Sequence, residues 1–220
     1  VSFEALLRFK DNTIGPAVFI SIAEETGCIV DIGRWVAKEA ISQIAKWRDM
    51  GFKEKTVAIN YSNKQLRDFE FVEYLENVLR AYKVDPQYIE IEITESILLE
   101  NNTQSIELLH QIKSAGIKLA LDDFGTGYSS LNYLTYIPMD KIKMDKSIND
   151  KFLEFENVEV MYSLISLVHS LNLTITAEGI EDWDKFHKLK KGGCDFIQGY
   201  LFSRPLEAES VVDIYDKKYV

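Results

Sequence analysis

The sequence predicts an α/β protein built as a parallel barrel, and three observations carry that reading. Short apolar or β-branched runs alternate with longer helical patterns along almost all of the 220 residues. Strands separated by helices of this length pair in parallel through right-handed crossovers, which leaves a doubly wound sheet or a closed barrel. Six consecutive runs then end in a polar or ionisable residue: Asn60, Glu92, Asp122 with Asp123, Lys143, Glu178 and Gln198. One such residue alone reads as a helix N-cap or a solvated loop group. Six in succession read as one face, because all strand C-termini of a parallel barrel open on the side where such barrels place their chemistry. A doubly wound sheet would spread them along an edge.

In order, the runs are residues 3–9 (FEALLRF), 56–61 (TVAINY), 88–94 (YIEIEIT), 117–121 (IKLAL), 139–144 (MDKIKM), 173–177 (LTITA) and 195–199 (DFIQG). Seven strands leave the barrel one short of eight, and the eighth is expected before Val1. Helical patterns lie at residues 34–49, 71–82, 105–114, 158–170 and 182–191; the first has Trp35, Val36, Ala40, Ile41, Ile44 and Trp47 on a broad apolar face. No long linker, tandem repeat or low-complexity tract divides the chain, so residues 1–220 are expected to form a single domain.

Composition narrows the function classes. With 46% hydrophobic and 27% charged residues the chain can build its core without staples. Cys28 and Cys194 form no CxxC or Cys/His cluster, which argues for reduced thiols in a cytoplasmic setting and against structural zinc. A net charge of -10 with no Lys/Arg stripe argues against duplex nucleic acid. No apolar stretch approaches the roughly 20 residues of a membrane helix and no signal pattern opens the chain, so no membrane contact is expected of this segment.

Glu4, Asn60, Glu92, Asp122 and Asp123 offer oxygen donors only, a set that suits magnesium or manganese rather than zinc or copper. Without cations such carboxylates would repel one another, and two metals are a recurring arrangement for phosphoester hydrolysis. Lys143 is the one cation of the ring; Lys141, Lys143 and Asp145 share a strand face that is either solvated or turned into the barrel mouth. Arg8 falls on the face of Glu4 and Leu6, where it suits either bidentate phosphate contact or a structural ion pair. In the run 122–130 (DDFGTGYSS), Gly125 and Gly127 permit a tight turn, and Thr126, Ser129 or Ser130 can cap the next helix.

These residues also fall into known motifs. Glu4-Ala5-Leu6-Leu7-Arg8 resembles the EAL signature of bacterial cyclic di-GMP phosphodiesterases. Asn60-Tyr61-Ser62 with Gln65-Leu66, Glu92-Ile93-Thr94-Glu95-Ser96, the run 122–130, Lys143-Met144-Asp145, Ala177-Glu178-Gly179-Ile180-Glu181 and Gln198-Gly199-Tyr200 resemble further motifs of that family, in family order. The resemblance implies a TIM-like (β/α)8 barrel with a modified, antiparallel first strand, here truncated at the N-terminus. It implies hydrolysis of cyclic di-GMP to linear pGpG with two Mg2+ or Mn2+ ions. Glu4, Asn60, Glu92, Asp122 and Asp123 would be metal ligands, Glu178 a ligand or general base, and Lys143 the holder of the attacking water. Glu95 would steady the loop at residues 122–130 and link it to a dimer surface, while Arg8, Gln198 and Tyr200 would meet substrate. A homodimer and flanking sensory or cyclase domains are further implications.

The chain departs from the family pattern in places. It starts three residues before Glu4, so the expected Tyr-Gln-Pro-like strand is not in the sequence; residues 8–19 are about three short, and Ser21 stands where proline is common. Two other readings stay open: a cyclic di-GMP receptor or scaffold without turnover, and a magnesium-dependent barrel acting on an enolisable acid. Hydrolysis is preferred because every position the metal mechanism needs is filled.

Overall fold

The computed structural model describes residues 2–10, 13–96, 103–126, 137–153 and 157–217. They fall into two compact units, Val1–Ile93 with Glu100–Leu119, and Thr94–Leu99 with Ala120–Val220. Seven strands neighbour one another in chain order. They are β1 (Phe3–Ala5), β2 (Val57–Tyr61), β3 (Ile89–Thr94), β4 (Lys118–Phe124), β5 (Lys141–Met144), β6 (Thr174–Ala177) and β7 (Phe196–Ile197). The order never reverses, which is the order of a barrel and not of a doubly wound sheet. Each described pairing is parallel.

The antiparallel first strand was expected before Val1 and has no counterpart among the described residues; β1, the first strand described, runs parallel to β2, with Phe3 opposite Val57 and Glu4 opposite Ala58. The connection between them follows the expected pattern, since α1 (Pro16–Thr26) and α2 (Ile29–Asp49) carry the chain back before β2 begins, and a crossover of that kind delivers a parallel strand.

In the first unit β1 is also shorter than residues 3–9, ending at Ala5, after which Leu6 and Phe9 are exposed. Phe9 meets Phe19 of α1 edge-on at 4.8 Å between ring centres. Helix α1 has no counterpart among the predicted helices. Its apolar residues lie on both sides, Phe19 and Ala23 buried but Val18 and Ile22 exposed, so no clean stripe announces it. Pro16 opens it and Gly27, in the left-handed region, ends it. Helix α2 buries Ala40, Ile41, Ile44 and Trp47 as its period predicts, and Ala37 besides. Trp35, expected on that face, is 53% exposed; two and a half turns from Ile44, it falls on the opposite side. Trp47 packs instead against Phe3 of β1, ring centres 5.4 Å apart. Helices α3 (Phe71–Tyr82) and α4 (Thr103–Ser114) bury Leu75, Leu79, Leu108 and Ile112.

In the second unit β5 is buried along its whole length, while β7 has two residues and leaves Phe196 39% exposed. Helix α5 (Lys146–Leu153) follows β5 directly and has no predicted counterpart, because KSINDKFL lacks an apolar stripe. Asp145 caps it, accepting from the Ser147 amide at 2.8 Å and from the Ser147 hydroxyl. Helix α6 (Val158–Ser170) buries Met161, Ile165 and Val168, and α7 (Trp183–Lys191) buries Phe186 and Leu189. Both cysteines are free thiols. Cys28 is exposed at the start of α2, whereas burial pushes the Cys194 thiol up to about 12. Among the described residues no helix is long and apolar enough to cross a membrane.

Candidate active site

The first unit carries Glu4, Asn60 and Glu92 at or near the C-terminal ends of β1, β2 and β3. Asn60 is in register with Glu92, and its Nδ2 donates to Glu4 Oε1 at 2.8 Å. The turn after Asn60 is fixed by a capping box: the Lys64 amide donates to Ser62 Oγ at 3.2 Å, and the Ser62 amide donates to Gln65 Oε1 at 2.9 Å. Buried Tyr61 completes it by donating its hydroxyl to the Gln65 carbonyl at 2.8 Å, and burial raises its phenol pKa. Gln65 finds room because residue 33 of α2 is glycine; a Cβ there would overlap the Gln65 amide. Arg34 then ties the end of the turn to α2 through a bidentate pair with Asp68, at 2.6 and 2.7 Å. Asn60 therefore sits on a braced turn.

In the second unit the Asp122-Asp123 pair lies in a β-bulge, the β4–β5 register shifting between Leu121 and Phe124. In a regular strand adjacent side chains point to opposite faces. Here Asp123 takes a φ of 54°, and the irregularity brings both carboxylates to one side. Thr126 holds the turn, its amide and hydroxyl donating to the Asp123 carbonyl at 3.2 and 2.9 Å. Oxygen atoms of Asp122, Asp123 and Glu178 all lie within 4.8 Å of one another. Lys143, 2% exposed, reaches into this group, with Nζ at 3.2 Å from Asp122 Oδ1 and 2.8 Å from Glu178 Oε1. The solvated reading of the Lys141 and Lys143 face is thereby removed, since both are buried; Asp145 leaves that face to cap α5. A buried ammonium is tolerated only with such partners. Three carboxylates and one lysine leave surplus negative charge on oxygen donors alone, which fits a hard divalent cation.

The EAL domain family model matches residues 1–205, spanning both units. The chain belongs to the EAL domain family. Among curated relatives, the EAL domain is 38% identical over 223 residues to "Cyclic di-GMP phosphodiesterase PdeR" of Escherichia coli K12, covering 100% of this chain and 33% of that protein. It is 35% identical over 216 residues to "Bifunctional diguanylate cyclase/cyclic di-GMP phosphodiesterase MucR" of Pseudomonas aeruginosa, covering 96% of this chain and 32% of that protein. The chain thus spans about a third of the length of these relatives. Among solved structures, "PaMucR Phosphodiesterase, c-di-GMP complex" is 35% identical with a TM-score of 0.86, covering 94% of this chain and 86% of that one.

Not every expected site residue of the EAL domain is gathered with the carboxylates. Arg8 lies beyond β1, exposed, and donates Nη1 to the neighbouring Leu7 carbonyl at 2.7 Å; it does not share a strand face with Glu4 because β1 has ended. Gln198 and Tyr200 are exposed after β7. Their backbone is fixed, with the Gln198 amide donating to Ala177 at 2.8 Å and the Ile180 amide donating to the Gln198 carbonyl at 3.1 Å. This approach requires Gly199, where a Cβ would overlap the Ile180 backbone. Arg204 lies 4.6 Å over the Tyr200 ring, a partner no motif announced. Glu95 is buried just after β3. Gly127, Tyr128, Ser129 and Ser130, in the loop it was assigned to steady, lie outside the described residues. Gln65 was readable from the Ser-x-x-Gln spacing; Asn149, a buried amide in α5, was not.

Proposed function

We propose that this EAL domain hydrolyses cyclic di-GMP to linear pGpG with two divalent ions, Mg2+ or Mn2+. The observation that supports the reading most directly is Lys143, buried between Asp122 and Glu178 where the bulge has turned Asp123 to the same side. Asp122, Asp123 and Glu178 of the second unit and Glu4, Asn60 and Glu92 of the first are the proposed metal ligands. The ions would supply Lewis-acid stabilisation of the phosphate and an acidified water. The Lys143 ammonium, set between the Asp122 and Glu178 carboxylates, donates hydrogen bonds that orient the attacking water. The Glu178 carboxylate, 2.8 Å from that ammonium, serves as ligand or proton acceptor. Arg8, Gln198 and Tyr200 are assigned to substrate, and Glu95 to steadying the loop after β4. The names of PdeR and MucR support the substrate class. A homodimer, a cytoplasmic setting and flanking sensory or cyclase domains belong to the same proposal.

The test is conversion of cyclic di-GMP to pGpG by the purified chain with Mg2+ or Mn2+, alongside Ca2+ and chelator controls. Metal-dependent product is expected, and Glu4→Ala and Asp122→Ala should each lower turnover at least a hundredfold while the fold persists. Unchanged turnover in either variant removes the ligand assignment. Binding of cyclic di-GMP without product would replace hydrolysis by the receptor reading.

A further inference from the structure

Glu178 is held at both ends of its own main chain. Its amide donates to the Met144 carbonyl at 3.1 Å, and its carbonyl accepts from Asn149 Nδ2 at 2.8 Å. The same nitrogen donates to the Met144 carbonyl at 3.0 Å. Asn149 is 0% exposed and stands in the first half of α5, the helix that begins immediately beyond β5. Its orientation is dictated by its neighbours, because a flipped amide would set an oxygen against two carbonyl oxygens. Asn149 Oδ1 is buried with no hydrogen-bond partner among the described residues. A side chain that leaves its acceptor unpaired is there for its two donors. Lys146 adds a second grip from the same helix, Nζ lying 3.4 Å from the Gly179 carbonyl.

Met144 follows Lys143 directly, so one carboxamide ties together the strand ends that carry Lys143 and Glu178. We propose that Asn149 is a positioning residue for the reaction, setting Lys143 and Glu178 in register through the main chain of Met144 and Glu178. Its kinetic consequence rests on the proposed hydrolysis; its consequence for cation binding does not. Neither charged side chain touches Asn149 in the described hydrogen bonds, so the effect travels through backbone placement.

Two variants test this. Asn149→Leu keeps the volume without donors, and Asn149→Asp keeps the shape but, ionised, cannot donate. Leu153→Ala, in the same helix and equally buried, is the control for simple destabilisation. Thermal unfolding, Mn2+ affinity by calorimetry, and kcat and KM for cyclic di-GMP are measured on each. Both Asn149 variants should lose at least tenfold in kcat with KM within threefold, and their Mn2+ Kd should rise at least threefold; Leu153→Ala should lose thermal stability but keep kcat. Asn149→Leu with kcat and Mn2+ affinity within twofold of the unsubstituted chain, or Leu153→Ala losing as much kcat, overturns the proposal. If the unsubstituted chain hydrolyses nothing, the functional reading falls and the Mn2+ affinities alone decide. If the Asn149 variants do not fold, side-chain amide exchange in the unsubstituted chain decides instead. Asn149 should exchange at least a hundredfold more slowly than exposed Asn77, and equal rates overturn the clamp.

Discussion

Asp123 holds a backbone conformation that costs an ordinary L-residue roughly 1–2 kcal/mol, and it does so in the bulge that turns its carboxylate beside Asp122. Two substitutions separate backbone from ligand. Asp123→Gly relieves the strain and Asp123→Ala keeps it, so the glycine variant should be about 1 kcal/mol the more stable by urea unfolding, with both losing Mn2+ affinity. Equal stabilities would mean the turn relaxes at no cost. The Asp-Asp pair was legible as chemistry from residue type alone, but its convergence was not. Strict alternation sends neighbours to opposite faces, and no hydrophobic pattern encodes a bulge. The placing of Arg8 on the strand face of Glu4 failed by the same alternation, followed past Ala5, where β1 had already ended.

Among the elements, α5 is capped by Asp145. Partial burial opposes charge on Asp145, but hydrogen bonds from the Ser147 hydroxyl and from the Ser147 and Lys146 amides outweigh it, and the pKa is lowered. A carboxylate lowered in the folded state stabilises fully above its unfolded pKa, near 4, and loses that contribution as pH falls through the folded value. Asp145→Ala should therefore cost about 1 kcal/mol at pH 7, with the difference from the unsubstituted chain shrinking below about pH 4. Denaturant titrations across that range check it, and a pH-independent difference would point to lost packing instead of a lost cap. Periodicity found α2, α3, α4, α6 and α7 because each buries one stripe. It missed α1, whose exposed Val18 and Ile22 blur the stripe, and α5, whose buried Asn149 reads as a solvent residue.

Across the whole molecule, strand order was the most legible property, since crossover helices of ordinary length leave few topologies. The antiparallel strand expected before Val1 was legible only through family likeness, because no residue of that strand is in the sequence. Excess carboxylate on a chain of net charge -10 gives a global consequence: a divalent ion that binds only the folded state should stabilise it. Mn2+ or Mg2+ at about a hundred times its Kd is worth about 2.7 kcal/mol, or a Tm rise of about 5–10 °C, reversed by chelator. No shift in thermal scans at millimolar Mn2+ would remove the metal site. The two cysteines offer a practical route to such measurements. Burial pushes the Cys194 thiol up and keeps it protonated at neutral pH, while Cys28 stands exposed at the start of α2. A maleimide fluorophore should thus label the native chain at one position, without mutagenesis, and report unfolding from the first unit alone.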